Sequence, residues 1–288
     1  MKRALAALPL LLFVASSAAA AAETRLALFG NRLFVTARVN GIAVEALLDS
    51  GAEMSVIDDD FARRLPVRYG SDQLVTGSGG EQSGRFAHGL SIAAAGLRLR
   101  NATAVVLDLD DLSKRLVGRP VALILGREIF DKARLRIDIE RGTIAAVPRS
   151  RRPRGQRLPL ATARGVETMP ASIEGLPPAA AEFDLGNGSE VLVGRAYAER
   201  TGLLAPDRVV GRADGGGIGG RISREVVMLR TLTLAGRTFE NVRAAIDPTG
   251  TAPDLNVGTS ILRHFIITAD FAEHALWLEP RPPRASRR

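Results

Sequence analysis

The chain has no cysteine, and among its 288 residues there are only three histidines and one tryptophan. Without cysteine there can be no disulfide, no thiol nucleophile and no cysteine-ligated metal. His88, His264 and His274 follow no metal-ligand spacing, and no serine or threonine has an evident histidine partner. The fold must therefore rest on a packed core, and the sequence predicts neither a metal nor a cofactor.

Lysine is also scarce, so the net charge of +8 comes almost entirely from arginine. Two arginine runs lie among prolines, one within 149–159 and one within 281–288. Neither run is interleaved with aromatic residues on which nucleic acid bases could stack. We interpret residues 149–159 as a linker and residues 281–288 as a basic tail, and we expect no nucleic acid partner.

The first 22 residues have the pattern of a secretory signal peptide. Lys2 and Arg3 precede an apolar run, Ala4–Val14, and small residues follow up to Ala22. This run is too short to span a membrane comfortably, which argues against a stable membrane anchor. We predict cleavage after Ala22 and an exported protein, periplasmic or secreted, from a bacterium.

Short motifs occur twice along the remaining chain, in the same order. This recurrence predicts two related halves, residues 23–148 and 160–280, joined by the linker. The matching segments are Ala46–Ala52 with Ala181–Asn187, Ala95–Leu97 with Ala235–Arg237, and Leu125–Gly126 with Val257–Gly258.

The pattern within each half is mostly β. Arg32–Val39 and Ile42–Leu48 alternate around Asn40-Gly41, which predicts a hairpin with a two-residue turn. Only Asp58–Leu65 and Gly194–Gly202 have the pattern of helical turns. Many short strands and no βαβ rhythm predict an all-β barrel or sandwich.

Asp49 ends the apolar stretch Val44–Leu48, where an ionised carboxylate is costly unless it has a role. It could be a turn residue that accepts its own backbone N–H groups, or it could bind a cation, although the apolar neighbours disfavour calcium. Asp184 is its counterpart in the second half. Two such loops face to face would bring two carboxyls together, and the pair would share a proton and could activate a water molecule.

The segment Leu47–Ile57 resembles the apolar-apolar-Asp-Thr/Ser-Gly-Ala signature of the retropepsin-like and pepsin-like aspartic proteases. Leu123–Gly126 resembles the second apolar-apolar-Gly element of that family, which packs behind the catalytic loop. The resemblance is to the bacterial exported form with two such domains in one chain. It implies an acid protease fold of two pseudo-twofold-related β-barrel lobes and a peptide or protein substrate.

By this resemblance Asp49 and Asp184 are the catalytic carboxyls. Ser50 braces the first loop, Gly51 allows its tight turn, and Ala52 and Gly186 support the two loops. The glycines of a candidate flap over the substrate are Gly77, Gly79 and Gly80, with Gly215–Gly220 as the counterpart in the second half. An ordinary flexible loop is the alternative for both glycine-rich segments.

The second loop departs from the signature, because Leu185 replaces the hydroxyl residue and Glu190 aligns with Ser55. Ser50 would then need a backbone or water partner. Three hypotheses follow. The chain is a monomeric endopeptidase with Asp49 and Asp184 as its dyad, or it is a homodimer that pairs Asp49 with Asp49 of a second copy. Alternatively, it is a catalytically degenerate protein that binds peptides or other ligands.

Overall fold

The computed structural model describes residues 23–282, so the predicted signal peptide and most of the basic tail lie outside the described residues. The described part is mostly β, and its strands fall into two groups along the chain. The first half contains β1 (Thr24–Phe29), β2 (Arg32–Val39), β3 (Ile42–Leu48), β4 (Val56–Asp58), β5 (Arg68–Gly77), β6 (Gly80–Ala94), β7 (Leu97–Leu107), β8 (Leu123–Leu125), β9 (Leu135–Asp138) and β10 (Thr143–Ala146).

The second half begins inside the predicted linker and continues to the end of the described chain. Its strands are β11 (Gln156–Pro159), β12 (Ala161–Ala163), β13 (Val166–Ile173), β14 (Ala179–Phe183), β15 (Val191–Gly194), β16 (Val209–Gly217), β17 (Gly220–Leu234), β18 (Arg237–Asp247), β19 (Leu255–Val257), β20 (Phe265–Asp270) and β21 (Ala275–Pro280).

The helices are short and connect strands. They are α1 (Asp59–Ala62), α2 (Asp110–Leu112), a π-helical turn (Ser113–Val117), α3 (Glu128–Lys132), α4 (Arg195–Arg200), α5 (Thr259–Leu262) and a 3₁₀ turn (Phe271–Glu273). None of the helices between residues 23 and 282 is long and apolar enough to cross a membrane.

The predicted hairpin at Asn40-Gly41 is confirmed. Strands β2 and β3 pair from Phe34 opposite Leu47 to Val39 opposite Ile42. The two turn residues have positive φ angles, 47° at Asn40 and 88° at Gly41. Asparagine and glycine tolerate this backbone better than other residues, which is why the dipeptide predicts such a turn.

Two sheets hold the strands, and one strand order occurs in both halves. In the 13-stranded sheet, the order β2-β3-β8-β4-β7-β6-β5 runs to one edge. In the 8-stranded sheet, the order β13-β14-β19-β15-β18-β17-β16 runs to one edge in the same way. In both strand orders the third strand lies parallel to the second, β8 beside β3 and β19 beside β14.

The two halves are joined by the larger sheet and by a common core. Strand β20 of the second half pairs with β9 of the first, with Ile267 opposite Ile137. Beneath this junction Phe271 stacks on Phe130 at a ring-centroid distance of 5.0 Å and meets Phe183 edge-on at 6.3 Å. Because Phe183 directly precedes Asp184, the second acidic loop stands on a core built by both halves.

The segment predicted as a linker is more ordered than a flexible connection. Its last four residues form β11, which pairs with β21, whereas the sequence predicted a linker up to residue 159. Arg149 reaches Asp270, which is buried, at 2.8 Å, and Arg134 reaches the same carboxylate at 2.9 Å. Burial alone would raise the pKa of Asp270, but hydrogen bonds from Arg149 and Arg134 outweigh it and lower that pKa. The arginines here serve the junction of the halves.

Replacing Asp270 by alanine should destabilise the fold by about 3 kcal/mol, because a buried arginine then loses its carboxylate partner. The measurement is urea unfolding at neutral pH. Asp214→Ala, which breaks an exposed pair with Arg221, is the control and should cost less than about 1 kcal/mol. Equal midpoints for the two variants would contradict the role given to Asp270. Since the pKa of Asp270 is lowered in the folded state, its contribution should fade as the pH falls through that pKa.

Candidate active site

Each acidic loop begins where two parallel strands end side by side. The amide of Asp49, which follows β3, donates to the carbonyl of Leu125 at the end of β8, at 3.0 Å. The amide of Asp184, which follows β14, donates to the carbonyl of Val257 at the end of β19, at 3.2 Å. The backbone of each aspartate is therefore held by the strand that precedes it and by the neighbouring parallel strand.

A glycine closes each loop as the sequence predicted. The amide of Gly51 donates to Asp49 Oδ1 at 2.9 Å, and the amide of Gly186 donates to Asp184 Oδ1 at 2.8 Å. The two loops also touch each other. A methyl group on Gly51 would lie 3.0 Å from Asp184 Cγ, and a methyl group on Gly186 would overlap the Asp49 carboxyl. Glycine is needed at both positions because the opposing carboxyl occupies the space of a side chain.

The structure brings Asp49 and Asp184 together within one chain, because each carboxyl lies against the glycine of the opposite loop. Burial and the adjacent charge of Asp184 raise the pKa of Asp49 to about 8, against the lowering effect of the Gly51 and Ala52 amides. Two carboxylates at this separation cannot both be ionised. The pair therefore holds one proton at neutral pH.

Ser50 finds backbone partners on the opposite loop. Its hydroxyl donates to the carbonyl of Phe183 at 2.7 Å and accepts from the amide of Leu185 at 2.9 Å. The side chain is buried, with 1% of its surface exposed. Leu185 points instead into the shared apolar core and is fully buried. The brace between the loops is thus made from one side only, and an apolar contact replaces the missing half.

Asp184 accepts two backbone N–H groups, as Asp49 does, and also a side-chain donor that Asp49 lacks. The amide of Asn187 donates to Asp184 Oδ1 at 3.0 Å, and Asn256 Nδ2 donates to Asp184 Oδ2 at 2.8 Å. The Asn256 side-chain amide has a defined orientation, because Asn187 Nδ2 donates to Asn256 Oδ1 at 2.8 Å. Three N–H donors therefore converge on Asp184, which suits it to hold the negative charge of the pair.

The sequence reasoning did not single out Asn256. The signal was present, since Asn256 is a polar residue inside the short apolar strand Leu255–Val257. It occupies the place that Ile124 has in β8, because Ile124 pairs with Leu47 and Asn256 pairs with Glu182 in the equivalent parallel ladders.

The structure corrects the alignment after the second loop. Val56 lies opposite Ile124, and the residue opposite Asn256 is Leu192. The residue that corresponds to Ser55 is therefore Val191, and the prediction that placed Glu190 there was wrong. The second loop is one residue longer, so Glu190 falls outside the ladder and binds Arg243 at 2.7 Å.

The two glycine-rich segments are the tips of long hairpins that meet. Gly77, Gly79 and Gly80 lie at the turn between β5 and β6, and Gly217–Gly220 form the turn between β16 and β17. The amide of Gly79 donates to the carbonyl of Ile218 at 2.8 Å. Arg115 holds the second tip by donating to the carbonyls of Gly215 at 3.1 Å and Gly217 at 3.0 Å.

Arg32 is a further charged group beside the pair. Burial lowers the pKa of this arginine, and the charges of Asp184 and Asp49 oppose that shift. Its NH1 donates to the carbonyl of Leu116 at 2.9 Å. Among residues 23–282, no three histidine, cysteine, aspartate or glutamate side chains are grouped as a metal site would require.

Ser50→Ala should destabilise the protein by about 1–3 kcal/mol, because it leaves the buried Leu185 amide without its acceptor. Thermal unfolding and urea titration would measure the change. Ser50→Thr keeps the hydroxyl and is the matched control, with a stability close to that of the wild type. A stability loss in the threonine variant as large as in the alanine variant would mean that packing, and not the hydrogen bonds, holds the loops together.

Comparison with known proteins gives one positive finding. No curated protein matches the chain. Residues 35–129 match a family model described as Aspartyl protease. The matched segment runs from β2 to α3 and contains Asp49, Ser50, Gly51 and the first hairpin tip. This match supports an aspartyl protease family for the part of the chain that carries the first acidic loop.

Proposed function

We propose that the protein is an aspartic endopeptidase that hydrolyses peptide bonds with the dyad Asp49 and Asp184. The observation that carries the proposal is the reciprocal closeness of the two loops, in which Gly51 lies against the Asp184 carboxyl and Gly186 against the Asp49 carboxyl. The raised pKa of Asp49, to which the charge of Asp184 contributes, supports it. Acid protease chemistry requires two carboxyls that share one proton, and this site provides such a pair.

The architecture we propose is that of two pseudo-twofold-related β-barrel lobes, residues 23–148 and 160–280. The common strand order of the two sheets supports this interpretation, as does the parallel strand pair beneath each acidic loop. Such symmetry would place the acidic loops face to face on the axis between the lobes, and the hairpin tips would meet over the same axis.

In the proposed mechanism a water molecule binds between the two carboxyls. Asp184 is the general base, because Gly186, Asn187 and Asn256 stabilise its charged form. It removes a proton from the water as the water oxygen bonds to the peptide carbonyl carbon. Asp49 gives its proton to the carbonyl oxygen, which yields a neutral tetrahedral diol.

Collapse of the diol completes the reaction. Asp49, now a carboxylate, takes back a hydroxyl proton as the C=O bond re-forms, while Asp184 delivers its proton to the leaving nitrogen. The C–N bond breaks, and one carboxylic acid and one amine leave the site. The dyad then again holds one proton on Asp49, so the cycle needs no metal, cofactor or covalent intermediate.

The two hairpins are proposed as flaps over the bound peptide. Glycines at the tips allow the backbones to approach each other and the substrate closely, and the Gly79–Ile218 hydrogen bond would have to open for a polypeptide to enter. We also propose export to the periplasm or cell exterior, which the N-terminal sequence pattern supports. The proposed protein acts as a monomer and has no nucleic acid partner.

A catalytically degenerate ligand-binding protein is the second candidate. The observation that favours it is Leu185, which leaves the interloop brace with a single hydroxyl. The homodimer hypothesis has less support, since Asp49 already has a carboxyl partner within its own chain.

Asp49→Asn and Asp184→Asn should each reduce kcat/KM for peptide cleavage by about a thousandfold or more, because each removes one proton-transfer group. Wild-type activity should decline as the pH rises through about 8, where Asp49 loses the proton it must donate. The measurement is hydrolysis of a peptide library between acidic and mildly alkaline pH, with products identified by mass spectrometry.

The same experiment separates the alternatives. Activity that survives Asp184→Asn and rises with protein concentration would favour the homodimer. Peptide binding by the wild type without cleavage at any pH would favour the binding protein. Glu240→Gln, a change at an exposed carboxylate of β18 outside the hairpin tips, is the control and should leave the rate unchanged.

Asn256→Ile, which installs the residue found at the corresponding place in the first half, should move the acidic limb of the pH–kcat/KM profile to higher pH. The reason is that the charged form of the dyad then loses a hydrogen-bond donor. Asn256→Gln keeps the side-chain amide and is the conservative comparison. An unchanged pH profile with a uniformly lower rate would assign Asn256 a packing role only.

A further inference from the structure

An apolar cluster of the first half lies next to the loop of Asp49. Leu47, Leu107 and Ile124 belong to a compact buried cluster that is separate from the main core. Ile218, at the tip of the second hairpin, packs against the same cluster. Ala52 and Met54, which follow the first acidic loop, also contact it. This cluster therefore lies between the loop of Asp49 and the hairpin tip that covers it.

Strand ladders identify the residues at the same places in the second half. Leu47 pairs with Ile124, and Glu182 pairs with Asn256 in the equivalent ladder. Leu107 lies opposite the last residue of β4, and Asp247 lies opposite the last residue of β15. These three apolar residues of the first half thus have polar or charged counterparts in the second.

The hairpin tips also differ between the halves. Gly77 pairs with Gly80 across the first turn, and Gly217 pairs with Gly220 across the second. Ile218 therefore corresponds to Ser78. Since Ile218 covers the apolar cluster of the first half, the equivalent cover for the second half is a serine. Three positions near the dyad are therefore apolar in the first half and polar in the second, and the hairpin-tip position is reversed.

The charges within this second cluster are unevenly compensated. Asp247 is paired with Arg224 at 3.0 Å and also accepts from Thr249. Glu182 has a weaker partner, because the hydrogen bond it accepts comes from the neutral amide of Asn256, at 3.0 Å. No lysine or arginine between residues 23 and 282 forms an ion pair with it, and Arg164 acts on it only from a distance.

Burial, and the nearby charges of Asp184 and Asp247, raise the pKa of Glu182. A carboxylate in this position is stabilised by any cation that enters. A lysine or arginine side chain of a bound peptide would supply such a charge together with hydrogen bonds.

We propose that the two sides of the dyad select different side chains of a bound peptide, an apolar one beside the cluster of Leu47 and Ile124 and a basic one beside Glu182. The substrate class is therefore peptides in which a lysine or arginine and an apolar residue flank the scissile bond. This inference rests on the proposed function for the location of the bond, but selection by charge can be measured by binding alone.

The test uses the inactive Asp49→Asn protein and four short labelled peptides whose central pair is Leu-Leu, Leu-Lys, Lys-Leu or Lys-Lys. Fluorescence anisotropy gives each Kd. One of the two mixed peptides should bind at least about tenfold more tightly than Leu-Leu, which corresponds to about 1.4 kcal/mol. Adding Glu182→Leu should remove this preference and strengthen binding of Leu-Leu. Glu240→Gln, which removes an exposed carboxylate of the same half, should leave the preference intact.

Equal binding of all four peptides would overturn the proposal, and so would a preference for lysine that persists in the Glu182→Leu protein. Cleavage by the wild-type protein is measured in parallel with the same peptides. A lysine preference in binding without Asp49-dependent cleavage would refute the proposed protease and retain the basic subsite. Asp49-dependent cleavage without a lysine preference would refute the subsite and retain the protease.

Discussion

Ser50 makes the contact on which the rest of the site depends. Its hydroxyl joins the two acidic loops by donating to one backbone group of the opposite loop and accepting from another. Each loop follows a pair of parallel strands, so this contact positions the ends of both strand pairs and not only the two turns. The carboxyls can then share a proton, since their separation is set by hydrogen bonds on rigid strands. Phe183, which precedes Asp184, packs edge-on against Phe271 and so anchors the second loop in the core shared by the halves.

The second half differs from the first because polar side chains replace apolar ones around its acidic loop. Where the first half relies on a hydroxyl brace and apolar packing, the second relies on a network in which Asn187 orients Asn256 and Asn256 supports Asp184. Leu185 fits this arrangement, because the brace needs only the Leu185 amide while its side chain fills the core. An asymmetric pair follows, because Asn256 donates to Asp184 and the corresponding residue beside Asp49 is Ile124.

Much of the first half could be predicted from local sequence. The turn at Asn40-Gly41 needs positive φ angles, and the loop at Gly51 leaves no room for a side chain. Few residue types meet these conditions, so their presence predicts the turn and the loop. The sequence predicted glycine-rich segments at Gly79 and Gly219. It did not predict that these two hairpin tips contact each other. Asn256 was missed because an isolated asparagine in a strand has no local signature. The misplacement of Glu190 arose because an ungapped alignment cannot show a one-residue insertion in a loop.

The β character of the chain, the position of the first acidic loop and the second aspartate and glycine in a matching context could all be predicted from the linear chain. These features depend on residue type and short spacing. The bond from Ser50 to the opposite loop, the three donors on Asp184 and the position of Glu182 beside the dyad are visible in the folded chain alone. Each of these depends on strand register and on contacts between residues far apart in sequence, where a shift of one residue would turn a side chain to the other face.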